Sequence, residues 1–255
     1  MKANAPLFKY LPERTRKLFE RLSKEPLMEG LVLVGGSAMA IQIGHRISED
    51  LDFVALASRL PSDKIESLTQ KLQNEGMDVS LTTAQSAISQ FKINTGDNLL
   101  DYVRDYAVEG AKLAFFAQGF NAPVKQLEYL RDLPEAFPKA HRFKVMGVEG
   151  LSAMKTLVLG ARARSRDIYD LKELVANQGF SIKKAKAIVE HYAPASQRDF
   201  ERHKALLTGI FPLDKQDEGF ETLGIKPSME EIYSFFKEKV AEFEKERARE
   251  ILRQH

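Results

Sequence analysis

The 255-residue chain carries 38 basic and 36 acidic side chains and no cysteine. That excludes disulfide staples, thiolate metal sites and cysteine nucleophiles, and net charge alone points to no polyanionic partner. The longest apolar runs, near residues 31–34 and 113–116, fall far below the roughly 18 residues of a membrane span, and the opening residues 1–6 lack the apolar stretch of a secretory signal; the expectation is a cytoplasmic protein with no membrane association.

Leu7, Leu11, Leu18, Phe19 and Leu22 recur at helical spacings and predict a leading helix within residues 6–25. Leu31-Val32-Leu33-Val34 reads as a buried strand stopped by Gly35-Gly36. Ser37 then suits the N-cap of a short helix over residues 38–43, which Gly44 ends. Leu51-Asp52-Phe53-Val54-Ala55 is the next strand, and Pro61-Ser62-Asp63 opens a helix with Ile65, Leu68 and Leu72 on one face. Short strands are expected over residues 78–82, 88–93 and 111–117, with Thr95-Gly96-Asp97-Asn98 turning between two of them. After Pro138 the pattern turns helical: residues 148–163, 166–176, 181–191, 195–208, and a long helix from Ser228. This last helix has a capping box, Ser228 with Glu231, and a stripe of Ile232, Phe235, Phe236, Val240 and Phe243; its charged end, residues 242–253, favours partial exposure. The shift divides the chain into an α/β domain over residues 1–140 and a helical domain over residues 141–255.

Charge is unevenly spread. Between residues 139 and 186 bases such as Lys139, Arg142, Lys144, Lys155, Arg162, Arg164, Arg166 and Lys172 outnumber Glu149, Asp167, Asp170 and Glu173. This local positive region is either a solvated helical surface or a phosphate-binding one.

Two features carry chemistry. Where the strand ends in Gly35-Gly36 and a helix begins, backbone can approach a ligand closely, and free helix N–H groups favour an anion such as a triphosphate. Asp50 and Asp52, two apart on a strand, point to one face, within reach of one cation, while Leu51 and Phe53 face a core. Hard oxygen ligands of this kind suit Mg²⁺ or Mn²⁺, completed by water and substrate phosphates. His45 is a structural residue on this reading, because one imidazole beside hard carboxylates does not make a zinc site.

Together these residues resemble the polymerase β-like nucleotidyltransferase superfamily. Val34-Gly35-Gly36-Ser37 through Ser48-Glu49-Asp50-Leu51-Asp52-Phe53 looks like the first motif of the AbiEii/AbiGii nucleotidyltransferase toxins of bacterial abortive-infection and toxin–antitoxin systems. Leu151-Ser152-Ala153-Met154-Lys155, Arg162 and Arg166-Asp167-Ile168-Tyr169-Asp170-Leu171 are similar to that family's later motifs.

The resemblance implies an α+β fold, a mixed sheet with helices followed by a helical C-terminal domain, and transfer of a nucleoside monophosphate from an NTP to a hydroxyl. The implied acceptor is RNA, such as the tRNA 3′ end, and the implied partner a cognate antitoxin. Gly35, Gly36 and Ser37 would hold phosphates, with Arg46, Arg162 and Arg166 as further nucleotide-binding residues; Asp50 and Asp52 would ligate Mg²⁺. Lys155 would place an ammonium on the triphosphate. Asp167 is either an ion-paired helix start or a catalytic-site acid, and Arg46 either touches phosphate or braces the aspartates.

One position departs from the superfamily pattern. A third carboxylate is expected on a neighbouring strand, and in Ala111-Lys112-Leu113-Ala114-Phe115-Phe116 that place falls to Ala114, with Asp105 and Glu109 read as out of register. The alternative is therefore a pseudo-enzyme that binds nucleotide or RNA without turnover.

Overall fold

The computed structural model describes residues 6–119, 122–217, 219–220 and 223–254; the first five residues of the N-terminal stretch read above lie outside them. The chain forms two compact units, Met1–Leu151 and Ser152–His255.

In the first unit, α1 (Glu13–Leu22) precedes β1 (Val32–Val34), α2 (Gly35–Ile43), β2 (Asp50–Ala55) and α3 (Ser62–Asn74). There follow β3 (Val79–Leu81), α4 (Gln85–Thr95), β4 (Val103–Val108), β5 (Ala111–Ala117), α5 (Val124–Asp132), β6 (Glu135–Ala136) and β7 (Lys144–Met146). The seven strands make one sheet in the order β3-β4-β5-β2-β1-β7-β6. It is mixed: β2 runs parallel to β5, β1 parallel to β7, and the other neighbours are antiparallel. Because β7 pairs with β1, the first unit extends past residue 140, where the sequence pattern put the boundary, to Leu151.

The two faces of the central strands differ as strand alternation requires. Leu51, Phe53, Leu113, Phe115, Arg104, Tyr106 and Val108 are buried on one face. There α1 delivers Leu18, Phe19 and Leu22, and Phe53 meets Phe115 at 5.9 Å and Phe143 at 4.8 Å between ring centroids. On the opposite face Asp50, Asp52, Lys112, Ala114, Phe116, Val103, Asp105 and Ala107 all keep some exposure. A sheet whose carboxylates Asp50, Asp52 and Asp105 gather on one half-open face has a surface for chemistry backed by a rigid core.

Residues 88–93, expected as a strand, belong to helix α4. Ile88 and Phe91 stand three apart and share a helical face, the Gln90 amide donates to Asn94 Oδ1 four residues on at 2.9 Å, and Gly96 ends the helix at φ 78°. Ile93, whose apolar character suggested a strand, is 78% exposed.

The second unit holds most of α6 (Val148–Leu159), then α7 (Ser165–Asn177), α8 (Ile182–Tyr192), α9 (Phe200–Leu207) and α10 (Met229–Gln254). The capping box opens α10 as expected: Ser228 N–H donates to Glu231 Oε2 at 2.7 Å and Glu231 N–H to Ser228 Oγ at 3.3 Å. Ile232, Phe236 and Phe243 of α10 are buried; α10 packs on α7, α8 and α9, and residues 245–253 run exposed.

Candidate active site

The turn between β1 and β2 is built around a buried helix. Gly36 to Ile41 of α2 are buried, so its apolar surface is spent on the core and its N-terminus is fixed at the end of β1. The helix begins at Gly35, not after Ser37. Val34 occupies the N-cap position, and no side chain caps the first turn, which leaves N–H groups there for a ligand. Ser37 does something else: its hydroxyl donates to the carbonyl of Asp50, tying the helix start to the first residue of β2. A hydroxyl that can reach a strand carbonyl from inside the first turn has no need to cap its own helix.

The glycines are required by their neighbours. Gly35 sits at φ +71°, and a Cβ there would lie 2.5 Å from Asp52 Oδ2; at Gly36 a Cβ would lie 2.5 Å from the Arg46 guanidinium and 2.7 Å from Ser48 Oγ. The Asp52 carboxylate thus lies against the Gly35 backbone, and Arg46, buried at 7% exposure, packs beneath Gly36 and donates to the carbonyl of Ile47 at 3.0 Å. Gly35→Ala is expected to cost about 1–2 kcal/mol from left-handed backbone alone and to displace the Asp52 carboxylate. Denaturant unfolding reads the first effect, and nucleotide affinity the second.

Asp50 and Asp52 occupy alternate positions of β2, half-exposed on the open face. Asp50 Oδ1 is buried without a hydrogen-bond partner, and the nearest ammonium, Lys112 Nζ, stands 3.8 Å away. An orphaned carboxylate oxygen beside a second carboxylate fits a divalent cation. With no group of three or more His, Asp or Glu arranged for a metal among the described residues, the donor set is two hard oxygen ligands, as Mg²⁺ takes with water and phosphate.

A second cluster lies within the second unit. Lys155 of α6 holds Asp167 Oδ1 and Asp170 Oδ2 of α7, each at 2.6 Å, and Arg162 Nε reaches Asp167 Oδ2 at 3.1 Å. Lys155, Asp167 and Asp170 are 8%, 3% and 0% exposed. Burial pushes the Asp167 carboxyl up, but the Lys155 ammonium and the Arg162 guanidinium outweigh it and hold the carboxyl below its ordinary range. Arg162 is exposed and Arg166 half-buried. Asp217 accepts from the Ser165 N–H and hydroxyl, both at 3.0 Å, and Asp214 from the Ala163 N–H at 3.0 Å. Sequence reading missed both aspartates, because a loop acid capping a helix some fifty residues earlier leaves no local spacing to find.

Part of the basic stretch of residues 139–186 is taken up in ion pairs. Besides Lys155 and Arg162, Arg142 pairs with Glu29 at 3.1 Å, Lys172 with Glu173 at 2.7 Å and Lys183 with Glu250 at 2.8 Å.

A mixed sheet carrying a glycine turn and an alternating carboxylate pair, joined to a helical unit, is a nucleotidyltransferase fold. A crystal structure described as a nucleotidyltransferase from H. pylori shares it, with a TM-score of 0.50 at 18% identity over 92% of this chain and 98% of that one. The chain belongs to the family of nucleotidyl transferase AbiEii toxins of type IV toxin–antitoxin systems, whose family model matches residues 16–254. An uncharacterized protein of Aquifex aeolicus is 24% identical over 91% of this chain and 97% of its own length. The nucleotidyltransferase toxin MenT4 of Mycobacterium tuberculosis H37Rv matches at a TM-score of 0.47 and 14% identity, over 88% of this chain and 84% of that one. No helix among the described residues is long and apolar enough to cross a membrane.

Proposed function

We propose that the protein is a cytoplasmic Mg²⁺-dependent nucleotidyltransferase that moves a nucleoside monophosphate from an NTP to a hydroxyl of RNA, in the manner of a toxin restrained by a cognate antitoxin. The observation that carries this reading is the orphaned Asp50 Oδ1 beside Asp52, at the foot of a helix start that no side chain caps. Asp50 and Asp52 would hold Mg²⁺, or Mn²⁺ in its place, which would supply positive charge to offset that developing on the leaving pyrophosphate. Gly35, Gly36 and Ser37 offer backbone N–H groups to the phosphates, while the Ser37 hydroxyl keeps Asp50 in place. Arg46, being buried under Gly36, braces the turn.

The assignments of Lys155, Asp167, Arg162 and Arg166 rest on the motif shared with the family. Within the second unit, a carboxyl held low between two cations suits Asp167 to positioning Lys155 better than to taking a proton.

Incubating the protein with Mg²⁺, total tRNA and each NTP labelled at either the α- or the γ-phosphate tests the reaction class. Transfer of α-label alone is expected; transfer of γ-label means phosphoryl transfer and overturns the reading. Ala114, which lies beside Asp52 in register, favours a second reading in which nucleotide binds without turnover; it predicts Mg²⁺-dependent NTP affinity and no movement of either label. Binding of the tRNA is expected to weaken as salt rises.

A further inference from the structure

We propose that Asp105 is the base that takes the proton from the acceptor hydroxyl, an inference that rests on the nucleotidyltransferase reading above. The strand registers place it. Asp52 of β2 pairs with Ala114 of β5, and Ala114 pairs in turn with Asp105 of β4. The three lie in one row across the sheet, and directly paired residues project to the same face. Asp105 is therefore not out of register, as its distance along the chain suggests, but in the row of Asp52 and on the open face.

Neighbouring strands stand about 4.8 Å apart, so the Cα atoms of Asp52 and Asp105 are separated by roughly 10 Å. In that row the residue between them is Ala114, whose side chain is a single methyl group. That gap is too wide for the two carboxylates to meet and wide enough to seat one hydroxyl-bearing group over Ala114. A longer side chain at residue 114 would fill it.

Asp105 is also held ready. Its N–H donates to Thr83 Oγ1 and its carbonyl accepts from Thr82 N–H, both at 2.8 Å, which fixes the backbone from the β3 side. No side chain among the described residues donates to its carboxylate, and the neighbouring cation on that face, Lys112, leans to Asp50 at 3.8 Å. Burial pushes the Asp105 carboxyl up, the direction that makes a carboxylate a stronger base. Asp167, by contrast, is clamped by two cations.

The step balances. The acceptor O–H proton passes to an Asp105 oxygen, the acceptor oxygen forms a bond to the α-phosphorus, and the α-phosphorus–oxygen bond toward the β-phosphate breaks, its electron pair leaving with pyrophosphate.

The test compares full-length wild type, Asp105→Asn, Asp105→Ala and Asp52→Asn for α-label transfer to total tRNA, and for affinity toward a non-hydrolysable NTP by calorimetry. Both Asp105 variants are expected to lose transfer by about 10²-fold or more while keeping wild-type nucleotide affinity and melting temperature. Added formate, a small base able to enter the space vacated, should restore part of the rate in Asp105→Ala and none in Asp52→Asn. A wild-type rate in Asp105→Asn, or a loss in Asp105→Ala that formate leaves untouched, overturns the base assignment while the transferase reading stands. Absence of label transfer by the wild type itself overturns both.

Discussion

Asp52→Asn is expected to lower nucleotidyl transfer by about 10³-fold, the rate equivalent of the several kcal/mol that a bound cation supplies to developing charge. The fold should survive. Asn is nearly isosteric with Asp, so the close approach to Gly35 is retained, and removing one of two like charges on the same strand face relieves repulsion. Melting temperature in the absence of ligand is therefore expected to stay level or rise. Ligand linkage provides a second readout: Mg²⁺ with a non-hydrolysable NTP should raise the wild-type melting temperature, since a ligand that binds only the folded state stabilises it, and should barely move the variant. Transfer at the wild-type rate by Asp52→Asn would remove the carboxylate pair from the mechanism. A variant that melts far below wild type would show that the pair serves the fold.

Much of this site can be read from the chain because its parts are local. Strand β1, the glycine turn, helix α2 and strand β2 fall within residues 32–55, and alternation along β2 by itself puts Asp50 and Asp52 on one face opposite Leu51 and Phe53. What sequence could not supply is lateral. Whether Asp105 stands in the row of Asp52 depends on how β4 pairs with β5 and β5 with β2, and the charges at Arg104 and Asp105 hide β4 as a strand altogether. The same limit explains Ser37, whose type and place suit an N-cap: its partner, the Asp50 carbonyl, comes close only once β2 lies beside α2. It explains residues 88–93 as well, where Ile88, Phe91 and Ile93 carry β-forming side chains but Ile88 and Phe91 are only half-buried and Ile93 is exposed, so local helix capping at Gly96 decides.

The family motif makes Lys155 a ligand for the triphosphate, and its burial between Asp167 and Asp170 changes what a substitution there means. Lys155→Met is expected to destabilise the second unit by about 3–5 kcal/mol, the usual consequence of removing one partner from a buried ion pair. The sign of its pH dependence follows from the carboxyls. In the wild type the Asp167 carboxyl lies below its usual 3.8, so its contribution is fully present above that pH and is lost only as pH falls through the lowered value. Without the ammonium, Asp167 and Asp170 face each other in a buried site, where desolvation and like charge both raise carboxyl pKa. The folded variant then binds protons more readily than the unfolded chain, and its stability falls as pH rises. The deficit relative to wild type should thus be largest near neutral pH and shrink toward roughly pH 5, as denaturant midpoints measured across that range would record. A deficit that does not change with pH would mean that the two carboxyls find other cations, Arg162 first. Activity lost in this variant bears on catalysis only where the melting data show the second unit still folded, which makes the acid side of the range the place to measure it.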